Sequence, residues 1–217
     1  IINVKYADDR DATGVSIVPT HPLLTSPIYP IAFVGEDRYT EGKWLSSGKY
    51  GKQGYILFGS GGENTDISSL PNGISVYAHR GSSLLQNITW TASDAGAAFL
   101  ERPRNGANST TTMGALRTEN PAACRQTFVV DVTRAADSHG NALVSLYMAD
   151  VGGEDREQII EIFDLESKNV ASPWRSVQNF SQGVYFSFQI SQSVRFRISY
   201  KRANAGADAV LSGIFFD

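Results

Sequence analysis

The stretch Val194-Arg-Phe-Arg-Ile-Ser-Tyr200 decides the fold class. Val194, Phe196 and Ile198 alternate with Arg195, Arg197 and Ser199. Successive side chains of a β-strand point to opposite faces, so this order gives one buried face and one wet face, the habit of antiparallel sheets. Other short runs rich in β-branched and aromatic residues follow the same logic: Phe128-Val-Val-Asp-Val132, Ala142–Met148, Gln158–Asp164, Gly183–Ile190 and Ala209–Phe216. Turn signals separate them at Ser138-His-Gly-Asn141, Val151-Gly-Gly-Glu-Asp155, Ser181-Gln-Gly183 and Asn204-Ala-Gly-Ala-Asp208. In the first half, Val15–Val18, Ile31–Val34, Gly54–Phe58 and Ile74–Ala78 are further strand candidates.

No segment carries the pattern of a long amphipathic helix. Many short strands without intervening helices predict an all-β fold, an antiparallel β-sandwich of jelly-roll or galactose-binding-like type. The prolines between Pro19 and Pro30 are interleaved with aliphatic residues and read as an irregular ordered loop rather than a linker. With 217 residues and no clean boundary, the expectation is a single domain over residues 1–217.

The formal net charge of −3 gives no basic footprint for nucleic acid or an anionic membrane. No run of about 18 apolar residues is present, and the opening IINVKYADDR lacks the basic start and apolar centre of a signal peptide, so the chain reads as a mature or excised segment. One cysteine, Cys124, leaves no internal disulfide, so stability rests on core packing. Sequons at Asn87-Ile-Thr, Asn108-Ser-Thr and Asn179-Phe-Ser would accept glycans in a eukaryotic secretory pathway and point to a secreted glycoprotein.

A search for catalytic chemistry finds little. His21, His79 and His139 lie in no recognisable motif and read as surface or turn histidines, and Cys124 as a buried structural thiol. His and Cys pairs at zinc spacing are missing, and Gly59-Ser-Gly-Gly62 lacks the lysine and helix of a phosphate loop. Asp150-Val-Gly-Gly-Glu-Asp-Arg-Glu157 concentrates four carboxylates around two glycines. Asp150, Glu154 and Asp155 could hold Ca²⁺ there, although the spacing is not that of an EF-hand and a solvated polar turn is the plainer reading. Asp150 and Glu154 are also the candidate pair for a carboxylate-dependent glycosidase or lyase. No other cofactor is expected.

The aromatic residues are the stronger lead. Sugars stack their C–H faces on flat rings while hydroxyls bond to carboxylates, amides and arginines around them. Glu41–Gly59 holds Trp44, Tyr50, Tyr55 and five glycines, and reads as a turn and strand in which Trp44 and Tyr55 pack inward while Tyr50, beside Gly51, faces a ligand. Trp174, between Pro173 and Arg175, reads as the most exposed ring. Trp90 follows the Asn87 sequon closely enough for a glycan there to crowd a ligand.

Gly42-Lys-Trp44, then Lys49-Tyr-Gly-Lys-Gln-Gly-Tyr-Ile-Leu57, Leu146-Tyr-Met-Ala-Asp150, Asn179-Phe-Ser-Gln-Gly-Val-Tyr185 and the ending Asp208-Ala-Val-Leu-Ser-Gly-Ile-Phe-Phe-Asp217 resemble an accessory β-sandwich module of secreted bacterial and fungal carbohydrate-active enzymes. The resemblance runs from about residue 40 onward; Ser93–Phe99 and Arg102–Met113 depart from it. It implies a non-catalytic carbohydrate-binding module that keeps the catalytic domain of a parent glycoside hydrolase or lyase on polysaccharide, and it names no sugar; plant or microbial polysaccharides, with rhamnose- or uronate-containing gums among them, are the candidates. The expected binding residues are Trp174, Trp90, Tyr50, Asp150, Glu154, Asp155 and Arg156. The rival expectation is an ancillary domain that stabilises its neighbour and binds no ligand.

Overall fold

The computed structural model describes residues 29–61, 65–79, 85–91, 95–103, 112–118, 127–136, 140–153, 155–201 and 208–217. The strand expected at Val15–Val18, together with His21, Asn108, Cys124, His139 and Glu154, lies outside them. The strands are β1 (Ala32–Asp37), β2 (Gly54–Leu57), β3 (Ile67–Ser69), β4 (Ile74–Ala78), β5 (Leu85–Thr91), β6 (Thr112–Thr118), β7 (Thr127–Arg134), β8 (Ala142–Met148), β9 (Gln158–Asp164), β10 (Val170–Val177), β11 (Val184–Ile190), β12 (Val194–Tyr200), β13 (Val210–Leu211) and β14 (Gly213–Phe216). Helix is confined, among the described residues, to α1 (Trp44–Ser47) and a 3₁₀ turn at Gly96–Ala98.

The pairing is nested. β9 pairs with β10, β8 with β11, β7 with β12 and β6 with β13, each antiparallel. A long folded-over hairpin whose successive pairs fall in alternate sheets is a jelly roll. One sheet has five strands in the order β10-β9-β12-β7-β4, and the other has six in the order β1-β11-β8-β14-β2-β3. β13, β6 and β5 form a third, three-stranded sheet. β13 joins β14 through Ser212, whose N–H donates to Tyr147 O at 2.9 Å while its carbonyl accepts from Phe58 N–H at 2.9 Å. The Ala209–Phe216 run expected as one strand is therefore two, broken at a serine that is buried and bonded.

The alternation of β12 works as the sequence predicts. Val194, Phe196 and Ile198 face inward with Phe128, Val130, Val132, Ile160 and Ile162, against Val144, Leu146, Phe186, Phe188, Ile214 and Phe216 of the six-stranded sheet. At the centre of the six-stranded sheet most of the intervening residues do not face water either. Tyr147, Tyr185, Phe215 and Leu57 point the other way into a second core with Trp44, Tyr50, Ala95, Ala98, Leu100 and Met113. Residues around α1 and the 3₁₀ turn thus cap that sheet, and its central strands are continuous buried runs, as expected where both faces are covered.

The glycine-rich aromatic stretch is part of this cap. Trp44 is 2% exposed. Its ring lies 4.9 Å from both Tyr55 and Phe215, and its Nε1–H donates to Glu101 O at 2.8 Å. Gly51, at φ 73°, lies against that ring, where an added Cβ would stand 2.8 Å from it. Trp44 and Tyr55 pack inward as expected. Tyr50 departs from the expectation of a ligand-facing ring: it is stacked on Tyr185 with centroids 4.0 Å apart, and its hydroxyl donates to Asp37 Oδ2 at 3.0 Å. Burial and the neighbouring Asp37 carboxylate push the Tyr50 hydroxyl far above the usual phenol range.

Candidate functional site

With the centre of the six-stranded sheet covered, the outer face of the five-stranded sheet presents an open array of side chains. Directly paired residues of antiparallel strands share a face, so the register orders this surface into rows. One row runs Ser176, Ile159, Ser199, Thr127 across β10, β9, β12 and β7. The next runs Glu161, Arg197, Val129, with His79 beside Val129. A third runs Phe163, Arg195, Asp131, Tyr77 and reaches β4.

Trp174 enters the second row at the β10 edge through a local irregularity. Ser172 pairs with Ile162, yet Arg175 rather than residue 174 pairs with Ile160, so one extra residue bulges from β10. Pro173 lies in this bulge, where its missing N–H costs no central ladder bond because β10 is an edge strand. Arg175 turns toward the sandwich, its guanidinium 4.1 Å from the centroid of Phe33, while Trp174 turns out and stays 59% exposed.

Trp174 borders an open cleft of about 550 Å³ that also involves Thr127, Glu161, Arg197, Ser199 and Lys201. That volume is within the range of small-ligand sites. Arg197 grips Glu161 in a bidentate pair, Nε to Oε2 at 2.7 Å and Nη2 to Oε1 at 2.6 Å, and lies over the Phe163 ring at 4.9 Å. Thr127 and Ser199 share a hydroxyl hydrogen bond of 2.9 Å. In the third row Arg195 holds Asp131 bidentately at 2.7 and 2.8 Å, and His79 Nε2 lies 2.6 Å from Asp131 Oδ2. Burial works to raise the Asp131 pKa, but hydrogen bonds from Arg195 and His79 outweigh it and hold the carboxyl below its usual range. The arrangement offers a flat ring, exposed hydroxyls and two fixed ion pairs. The surface combines planar and hydrogen-bonding elements.

The other sequence-predicted residues are not gathered here. Asp150 is 5% exposed and Arg156 2%, which corrects their expected place in a polar rim. Arg156 Nη1 donates to Asp150 Oδ1 at 2.5 Å, its Nε to Asp208 Oδ1 at 2.8 Å, and its backbone N–H to Asp150 Oδ2 at 3.0 Å. Both oxygens of Asp150 accept from Arg156, so the carboxylate belongs to an internal ion pair rather than to the surface. Among the described residues, no three His, Cys, Asp or Glu side chains cluster as a metal site would require. Asp155 is exposed in the turn at φ 50°. Trp90 of β5 is half-buried, packs against both cores and is not gathered with Trp174. Asn179 is exposed at φ 55°, while Asn87 is half-buried with its amide toward Asp66.

Sequence reasoning missed Arg197, Glu161 and Tyr77 as site residues. The signal for the first was present, since Arg195, Arg197 and Ser199 mark the wet face of β12; what it lacked was the identity of the flanking strands.

No family model matches the sequence, and no curated protein matches it. Solved structures do. The enzymatically active domain of bacteriophage CBA120 tailspike protein 4 matches at a TM-score of 0.30 and 8% identity, over 67% of this chain and 18% of that one. A carbohydrate-binding module of the β-sandwich superfamily, described for promiscuous specificity, matches at 0.26 and 7%, over 75% of this chain and 69% of that one. The isomalto-dextranase of Arthrobacter globiformis T6, complexed with panose, matches at 0.28 and 9%, over 87% of this chain and 32% of that one. The neighbours thus include a carbohydrate-binding module and parts of two larger proteins with enzymatic activity. At these scores the fold assignment stands on the strand pairing, not on the likeness.

Proposed function

We propose that the chain is a non-catalytic carbohydrate-binding module, serving a secreted glycoside hydrolase or polysaccharide lyase by holding it on polysaccharide. The observation that carries this reading is Trp174: a bulge turns its ring out of the sandwich, to the edge of a cleft furnished with hydroxyls and fixed charges. Exposed rings occur singly on many proteins. This one borders side chains that can bond sugar hydroxyls on the open face of a sheet whose partner sheet is covered at its centre. The accessible Asn179 sequon is in keeping with a secreted glycoprotein.

The non-catalytic reading is supported by the placement of Asp150, which is buried and held by Arg156 rather than open to a ligand. The test is affinity electrophoresis of the 217-residue chain through a panel of neutral and acidic polysaccharides, beside Trp174→Ala. Retardation by at least one polysaccharide, lost in the variant, is the expected result. Migration unaffected by every polysaccharide sinks the binding reading and leaves the ancillary-domain alternative.

A further inference from the structure

A second exposed ring stands at the opposite edge of the same face. Tyr77 of β4 is 62% exposed, and it shares its row with Asp131 and Arg195. The His79 ring stands nearly perpendicular to it, with centroids 4.8 Å apart at 84°, and braces Tyr77 while leaving it largely open to solvent. β10 and β4 are the two edge strands of the five-stranded sheet, so Trp174 and Tyr77 flank its full width. Four strand spacings of about 4.8 Å and one two-residue step along the strand put the rings about 20 Å apart.

The charges between them are closed. Arg195 is paired with Asp131, Arg197 with Glu161 and Lys201 with Glu157. An anionic sugar approaching either guanidinium would meet the partner carboxylate as well, and drawing the guanidinium away would leave that carboxylate unmatched beside a second negative charge. A hydroxyl can bond to the outer edges of such a pair without breaking it.

From these two observations we propose that the face binds an extended, uncharged glycan laid across the strands, gripped at one end by Trp174 and at the other by Tyr77. This rests on the carbohydrate-binding reading above and adds to it the direction of the chain, its minimum length and its charge. Tyr77 is a specificity-determining residue that acts only on ligands long enough to reach it.

The experiment is calorimetric titration of the wild-type chain, Trp174→Ala and Tyr77→Ala with neutral oligosaccharides, from disaccharide to hexasaccharide, of each backbone retained in the electrophoresis panel. Matching uronate oligomers run in parallel, and circular dichroism confirms that all three proteins are folded. Affinity is expected to climb with length until the ring-to-ring span is bridged and then level off. Tyr77→Ala should weaken the longest ligand about fivefold, the value of an ordinary aromatic contact, and leave the disaccharide within error. Trp174→Ala should weaken every length. If Tyr77→Ala matches the wild type at every length while Trp174→Ala fails, the second platform is wrong and the carbohydrate-binding reading survives. Tighter binding of uronate oligomers than of neutral ones overturns the charge assignment. Absence of wild-type binding to any oligomer or polymer overturns both readings together.

Discussion

Two tryptophans of one chain are assigned opposite duties, and truncating each tests the assignment. Trp44 lies in the second core, its ring between Tyr55 and Phe215 and its N–H on the Glu101 carbonyl. Trp→Ala at such a site removes the buried ring, leaves a cavity and orphans a carbonyl, a loss of about 4 kcal/mol within the usual range of about 3–5. For a chain of this size about 2–4 °C of Tm accompanies each kcal/mol, so Trp44→Ala should melt about 8–16 °C below the wild type. Trp174 is 59% exposed and buries little on folding. Its truncation should cost no more than about 0.5 kcal/mol, or about 2 °C. Thermal unfolding followed by circular dichroism reads both, and tryptophan fluorescence adds a check: the Trp174→Ala spectrum should shift to the blue, because the most solvated indole has gone. Comparable drops in Tm for the two variants would refute the reasoning, since Trp174 would then be holding the sandwich together rather than standing outside it.

Two further predictions concern charges. Arg156→Met removes the cation shared by Asp150 and Asp208 and should cost about 3–5 kcal/mol in urea unfolding, whereas adding Asp150→Asn and Asp208→Asn should recover a large part of that loss; a triple variant no better than the single one would show that the guanidinium contributes by packing alone. The Asp37 carboxyl, despite burial that works to raise its pKa, is held far below its ordinary 3.8 by hydrogen bonds from Lys49, Thr40 and the Tyr39 and Thr40 backbone. A depressed folded pKa gives stability that is present above the unfolded value and is lost as pH falls toward the folded one, so wild type should lose stability relative to Asp37→Asn as the pH drops below about 4. Parallel stability–pH curves for the two proteins would overturn this.

Much of the fold was legible because the strands show themselves by composition, and β9 and β12 also by alternating burial. β8, β9 and β12 match their sequence runs residue for residue, since each has one face against the main core and enough β-branched or aromatic residues to show it. β6 was not legible. Thr112-Met-Gly-Ala-Leu-Arg-Thr118 has poor strand formers, and it is extended because β5 and β13 pair with it and Gly114 packs against the backbone of Phe58 and Gly59. The charges after β8 misled for a related reason. A run of acids around two glycines reads as solvated, yet the turn folds Asp150 back onto Arg156, and Asp208 closes the network from 52 residues away. Nothing local announces that third partner. The site shows the same split: β12 displays its wet face, but the carboxylates that close its arginines sit 36 and 64 residues away, and only the register of the rolled sheets brings them alongside.

The placement of Trp174 shows how a small departure from regularity sets the chemistry of the face. In an uninterrupted ladder, Ser172 opposite Ile162 would be followed by Trp174 opposite Ile160, and both of those partners point into the main core. A large indole there would have to displace packed aliphatic side chains, which a close-packed interior does not tolerate. The extra residue in the bulge reverses the parity: Arg175 takes the inward position at the sandwich edge, where its guanidinium can lie over Phe33, and Trp174 takes the outward one. Pro173 suits the bulge, because an irregular edge position tolerates a residue with no N–H to donate. The sequence feature that hides β10 from a pattern-based reading, a proline before a tryptophan, therefore sits in the bulge that delivers the ring to the cleft.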